Sequence, residues 1–497
     1  LKFICDRGRF SKSRDFVWNF RKTPQELLEH NALSHPNSNS IQPPYKSINP
    51  ATEEVIQVFS MHDWGYVERA LGELLQAQAE WKRFAVSKKV ELVEALASLV
   101  KARRDLIAKT ISLEMGKVYA QSLAEVDRIL GFCEHARQRL QDILEPREIV
   151  YPGASHPAKV FSEPFGLVFC ITPWNVPVAS LVRLALPALL GGNVVSVKPA
   201  PNVAGCAAIF SELLLDAGFP DNVFKVLHLS NAIAEQLVSD RRVRKLAFVG
   251  SAPVGARLAS LAGAGIKPVL LELGGSDPMI VLRDADIQAA ALDAARARCT
   301  NAGQVCCASK RILVEAPVYD DFRAAFIEAM RAQRCGDPFS ADTTIGPLAR
   351  ADLRDALVTQ YQQALAGGAR ELLPGGVLDS KGYFFTPAVI EEDGEVGFAT
   401  DKEFFGPVAS LFRGADTAQL LRIANRSRYG LGAAVYSRDN ERAAALAEGL
   451  EAGFVYLNKP PGLHPYLPFG GVKDSGFGRD CGDAGFHEYL QSKVVVW

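Results

Sequence analysis

The sequence predicts an α/β protein built from doubly wound parallel sheets covered by crossover helices. The first sign is a rhythm: short apolar runs at 167–171, 193–197, 223–227 and 245–249 alternate with helical stretches such as 203–216. The second is that the rhythm resumes after residue 272, with strands at 279–281 and 312–314, which implies a second α/β domain. The third is size, since 497 residues with 48% hydrophobic content can form two or three domains with cores of their own.

Residues 1–22 are rich in Lys, Arg, Phe and Ser. They faintly resemble an organelle transit peptide, but Asp6, Asp15 and Trp18 break the pattern and favour a plain tail. Residues 31–47 are rich in Asn, Ser and Pro and read as a linker, with a compact body beginning near Ile48-Asn49-Pro50. Apolar residues spaced three and four apart predict helices over 64–85, 87–115 and 117–142. At the far end, 492–497 reads as an apolar strand. A strand at a chain end is an open edge unless something pairs with it.

A formal net charge of −1 gives no reason to expect nucleic acid or an acidic surface as a partner. The longest apolar stretch, 176–197, is broken by Arg183, Pro187 and Gly191-Gly192, so no membrane span is expected. Nine cysteines are scattered from Cys5 to Cys481 without a C-x-x-C pair, so no metal is expected and a reducing, cytoplasmic compartment is.

The chemistry gathers in a few segments. Asn301-Ala302-Gly303-Gln304-Val305-Cys306-Cys307 places a thiol in a polar loop of small residues. Glu272 lies in an apolar run between Leu271 and Leu273, where desolvation would favour general-base work near neutral pH. One group can attack a substrate and the other can activate water. In Thr172-Pro173-Trp174-Asn175, prolines 173 and 177 present Asn175, whose amide can stabilise an oxyanion. Phe248-Val249-Gly250-Ser251-Ala252-Pro253-Val254-Gly255 ends a strand and opens a helix, a place where phosphate can sit on free N–H groups. Lys198 leaves a strand at the edge where ligands of parallel sheets bind. Taken singly, these are as often a turn, a cap or a surface lysine.

Together with Lys198-Pro199-Ala200, Leu271-Glu272-Leu273-Gly274-Gly275, Glu403-Phe404-Phe405-Gly406-Pro407 and Pro468-Phe469-Gly470-Gly471, they occur in the order found in NAD(P)-dependent aldehyde dehydrogenases. The chain resembles that family from about Ile48 to its end. The resemblance implies an aldehyde dehydrogenase-like fold with three parts. These are a cofactor-binding domain (48–145 and 165–271), a catalytic domain (272–474) and a small β oligomerisation element (146–164 and 475–497) that builds a homodimer or homotetramer.

It also implies Cys306 as nucleophile, Asn175 and the Cys306 N–H as oxyanion hole, and Glu272 as the base that releases the acid. Thr172, Trp174, Gly250, Ser251 and Gly255 would border the cofactor, Lys198 and Glu403 its two riboses, and Phe405 its nicotinamide. Pro201 stands where NAD-preferring relatives carry an acid, which leaves NAD and NADP both open. Arg183, eight residues after Asn175, matches the arginine of succinate-semialdehyde dehydrogenases, and Arg298 is a second candidate anchor for a substrate carboxylate. The loop Asn458-Lys459-Pro460-Pro461-Gly462-Leu463-His464 lacks the serine some of these enzymes use, leaving Lys459 or His464 as substitutes.

The most direct expectation is oxidation of succinate semialdehyde or a similar short carboxylated aldehyde. The alternatives are a broad dehydrogenase of neutral aldehydes and a crystallin-like structural protein. Glu272 argues against a CoA-acylating enzyme. The position of Cys306 deep in the chain argues against a papain-like protease.

Overall fold

The structure is a computed structural model that describes residues 44–497. The tail and most of the expected linker therefore lie outside the described residues. Its last residues do not form a linker: Tyr45–Ile48 is a strand paired antiparallel with Val55–Phe59. Its polar composition hid an alternation that buries Tyr45 and Ser47, and the Tyr45 hydroxyl donates to the Leu229 carbonyl at 2.5 Å.

Four helices follow, Trp64–Trp81, Val86–Ala102, Arg104–Met115 and Tyr119–Leu144. The first opens on Asp63, whose carboxylate accepts from the Tyr66 N–H at 2.7 Å. The single helix expected over 87–115 is two, because Arg103 leaves helical geometry (φ −103°, ψ 18°). Its guanidinium is tied to Asp216, and that of Arg104 to Asp127. The apolar periodicity continues through the break, which is why the sequence reads as one helix.

The first large sheet runs Gly476–Phe477, Val269–Glu272, Val243–Val249, Leu167–Ile171, Val194–Lys198, Phe224–Val226. All but the first strand are parallel. The chain enters at Leu167–Ile171, builds outward to Phe224–Val226, then returns to the other side with Val243–Val249. The order therefore reverses between Leu167–Ile171 and Val243–Val249. A crevice opens at such a switch point, outside the carboxyl ends of the strands. Thr172 to Asn175 and Gly250-Ser251 leave those two ends.

The second sheet has seven strands, ordered Arg370–Leu373, Ala388–Glu391, Val408–Gly414, Ser309–Glu315, Asp277–Val281, Gly432–Tyr436, Phe454–Leu457. Only its first strand is antiparallel. A third sheet pairs Leu490–Val495 with Ala158–Pro164 and that strand with Arg147–Ile149. Glu272 is the last residue of a strand of the first sheet, and Gly476–Phe477 joins that sheet as well.

The helix Pro177–Leu190 packs on the first sheet, against the helix Tyr119–Leu144, and every one of its residues is buried. Leu, Val and Ala fill most of it, and Trp81 locks against its end by donating to the Leu189 carbonyl at 2.9 Å. Arg183 is its one charge, 5% exposed, so a charged partner must be found inside the protein.

Candidate active site

The helix Ile287–Cys299 stops just before the reactive loop, and the chain then turns sharply. Asn301, Ala302 and Gly303 follow one another with φ of 54°, 53° and 75°. A left-handed conformation costs an L-residue roughly 1–2 kcal/mol, less for Asn and little for Gly. Ala302 is thus held there by its surroundings. Asn301 donates from its N–H to Gln121 Oε1 at 2.8 Å and from Nδ2 to the carbonyls of Asn175 (2.9 Å) and Gln304 (3.2 Å). Gln304 donates to the Asn301 carbonyl at 3.0 Å and accepts from the Ala349 N–H at 2.9 Å. Gly303 presses against the Gly406 carbonyl group, leaving no room for a Cβ. On the far side, Lys310 donates to the Val305 carbonyl at 3.0 Å and to that of Cys306.

The loop presents Cys306 to a cavity of about 440 Å³ that Asn175 and Glu272 also line. Asn175 donates from Nδ2 to the Gln304 carbonyl at 3.0 Å, which fixes its amide beside the thiol loop. The Cys306 thiol is held well above its ordinary range by its hydrogen bond with Cys307, by desolvation and by the negative charge of Glu272. Cys307 is buried beneath it.

Glu272 is 1% exposed and apolar on its flanks, as expected, but it does not stand alone. Arg183 donates to Glu272 Oε2 from one side of its guanidinium and to Asp480 Oδ2 from the other. Burial pushes Asp480 up, against the pull of Arg183. Glu272 Oε1 is buried and has no hydrogen-bond partner among the described residues, and its residue lines the cavity.

The other substrate candidates are placed differently. Arg298 is fully buried behind the loop, donates to the Gly303 carbonyl, and is not part of the cavity wall. Desolvation pushes it down to about 10. His464 borders a neighbouring cavity and accepts from the Tyr466 N–H at 3.3 Å. Only the middle of its loop, Pro461 to Leu463, reaches the main cavity. Lys459 lies over the Tyr456 ring, 5.2 Å from its centre.

The cofactor candidates converge on the opposite side. Gly250, Ser251, Trp174, Glu403 and Phe405 line the same cavity as Cys306. No side chain caps the helix Ala252–Ala264, so the N–H groups of Ala252 and Val254 remain available to a phosphate. Gly255 lets this helix lie close on the sheet, since a Cβ there would meet Leu273 at 2.6 Å. Phe405 meets Trp174 edge-on at 5.5 Å. Glu403 pairs with Lys310 at 3.0 Å and accepts from the Gly275 N–H at 3.3 Å.

Lys198 ends its strand 7% exposed, over the Tyr45 ring, with no carboxylate partner among the described residues. Desolvation pushes it down to about 8. Thr172 is buried and donates its N–H to the Lys198 carbonyl at 3.1 Å, and Pro201, itself exposed, opens a short turn whose next two residues, Asn202 and Val203, are buried. An open helix start, an unpaired buried ammonium, a carboxylate and an aromatic pair fit a dinucleotide.

Sequence reasoning missed Lys310, Asp480 and Arg128. Lys310 and Arg311 at the start of a wholly buried strand were a signal, because a buried lysine needs partners. Asp480 carried none, as it lies in a glycine-rich loop.

A thiol, a carboxylate and an amide meet here at the mouth of a nucleotide crevice, which defines a cysteine-dependent oxidoreductase of carbonyl compounds. The chain belongs to the aldehyde dehydrogenase family, whose sequence model it matches over residues 37–495. It is 38% identical over 456 residues to succinate-semialdehyde dehydrogenase [NADP(+)] 1 of Mycobacterium tuberculosis, covering 91% of this chain and 99% of that one. Among solved structures it is similar to succinic semialdehyde dehydrogenase of Streptococcus pyogenes in complex with NADP+. That match has a TM-score of 0.89 and 29% identity, over 91% of this chain and 99% of the other. Betaine aldehyde dehydrogenase of Staphylococcus aureus in complex with NAD+ matches at a TM-score of 0.88 and 30% identity, over 91% of each chain. The protein is an NAD(P)-dependent aldehyde dehydrogenase. Among the described residues there is no group of metal-binding side chains, and no helix is long and apolar enough to cross a membrane.

Proposed function

We propose that this enzyme oxidises succinate semialdehyde, or a similar short carboxylated aldehyde, to the acid, with NADP as the preferred cofactor. The observation that carries the chemistry is the meeting of Cys306, Glu272 and Asn175 in one cavity. The names of its relatives support the substrate and cofactor. The unpaired Lys198, with Pro201 where an acid would repel a 2′-phosphate, supports the same cofactor choice.

Glu272 takes the Cys306 proton as the sulfur adds to the aldehyde carbon. The new oxyanion lies between the Asn175 amide and the Cys306 N–H, each donating as charge develops. When bound, the nicotinamide accepts the hydride that leaves the adduct. The product on Cys306 is a thioester. Glu272 gives up the thiol proton to solvent and then takes a proton from water, whose oxygen attacks the thioester carbon; the thiolate departs as the acid forms and regains a proton from Glu272. Arg183 holds Glu272 at the required height, and Asp480 holds Arg183.

The enzyme is further proposed to be a cytoplasmic homo-oligomer, a dimer or a dimer of dimers. The eight described cysteines are all free thiols, which supports a reducing compartment. The exposed edge strand Leu490–Val495, with Val494, Val496 and Trp497 in the open, supports assembly.

The test is initial-rate reduction of NADP and of NAD with succinate semialdehyde and with butanal. The expected result is a kcat/KM at least about 10-fold higher for the semialdehyde, since a buried charged contact has that weight. Equal values would remove the substrate and leave a general aldehyde dehydrogenase.

A further inference from the structure

The proposed substrate carries a carboxylate at the end remote from the aldehyde, and the cavity must offer it a cation. Three cations line the cavity: Lys117, Arg183 and Arg128. Two of them are engaged. Lys117 is buried and ion-paired with Glu125, and Arg183 is shared between Glu272 and Asp480.

Arg128 remains. It lies on the helix Tyr119–Leu144, in a stripe of one face formed by Gln121, Glu125 and Arg128 at spacings of four and three. Gln121 and Glu125 both have partners that hold the site together. Gln121 accepts from the Asn301 N–H and donates to the Thr344 carbonyl at 3.4 Å. Glu125 accepts from Lys117 and from the N–H groups of Val178 and Ala179, both at 3.1 Å, at the start of the buried helix. The nearest acid along the chain, Asp127, forms a two-pronged pair with Arg104 on the other face, at 2.7 Å for each bond. Arg128 is half-buried, borders the cavity and has no ion pair or side-chain hydrogen bond among the described residues. Leu353, Leu463 and Phe469 add apolar wall to the same cavity, which strengthens any charge contact made there.

We propose that Arg128 is the specificity-determining residue that grips the distal carboxylate of the substrate with its guanidinium fork. The assignment rests on the carboxylated-aldehyde reading above. Arg183, which the sequence pattern favours for this task, instead holds the general base.

The experiment measures kcat/KM for succinate semialdehyde, butanal and 4-aminobutanal on the wild type and on Arg128→Gln, Arg128→Lys and Arg128→Glu, with saturating NADP. Arg128→Gln is expected to lower the semialdehyde-to-butanal ratio by on the order of 10- to 100-fold, mainly through KM. Arg128→Lys should restore part of that ratio, which a merely structural role would not do. Arg128→Glu should move preference toward the cationic 4-aminobutanal. Inhibition by succinate should weaken in parallel. A wild type that prefers the semialdehyde, with the ratio unmoved in Arg128→Gln, overturns the role of Arg128 and leaves the proposed function standing. A wild type with no preference overturns the substrate reading, and this assignment with it.

Discussion

Arg183 shows how a side chain that lines the cavity can be committed to other groups of the site. Its guanidinium joins two buried carboxylates whose residues are far apart in the chain, Glu272 and Asp480. Removing one partner of such a buried set leaves uncompensated charge and costs on the order of 3–5 kcal/mol. Arg183→Ala should therefore lower kcat for succinate semialdehyde and butanal by the same factor, and lower the melting temperature, as read by parallel kinetics and calorimetry. A loss confined to the semialdehyde would return Arg183 to the substrate. Lys198 gives a pH signature. Desolvation pushes it down to about 8, so its charge is present below that value and fades as pH rises through it. The KM for NADP should rise relative to that for NAD between about pH 7 and 9, and this trend should vanish in Lys198→Met. An unchanged trend in the variant would show that Lys198 does not hold the 2′-phosphate.

At the scale of elements, the reactive loop works because three left-handed residues are held by hydrogen bonds from several directions. Gly303→Ala adds a Cβ against the Gly406 carbonyl group at a φ of 75°. It should cost on the order of 1–3 kcal/mol and abolish turnover, with the loss of the Cys306 position visible as slower alkylation by iodoacetamide. Elements were legible in the sequence where one local pattern decides them. The strand Leu167–Ile171 is a continuous apolar run, and it forms as read. The break at Arg103 was not legible, because the apolar spacing runs on through it. The site divides in the same way. Cys306, Glu272 and Asn175 were marked by local composition. Arg183 was marked as a lone buried cation, but its partners come from another strand and a C-terminal loop. Arg298 and His464 were placed by spacing alone, and the fold turns both away from the main cavity.

The whole molecule joins two sheets so that the switch point of the first faces the nucleophile loop of the second. Glu272 lies at the joint, as the last residue of one sheet's strand and five residues before the other sheet begins. The third sheet leaves Leu490–Val495 as an edge strand, with Val494 on it and Val496 and Trp497 just past it exposed. Replacing Val494 and Val496 with Lys should shift the protein to monomer in size-exclusion chromatography with light scattering. An unchanged mass would place the subunit interface elsewhere.

The central claim is that the reaction runs through a thioester on Cys306 that Glu272-activated water resolves. Rapid mixing of Glu272→Gln with NADP and succinate semialdehyde, followed by quenching and intact-mass analysis, tests it most directly. The account predicts cofactor reduction that is slowed, because Glu272 also takes the thiol proton, that stops near one equivalent per site, and that leaves a succinyl group retained on Cys306. Steady turnover at the wild-type rate with no acylated Cys306 would contradict it.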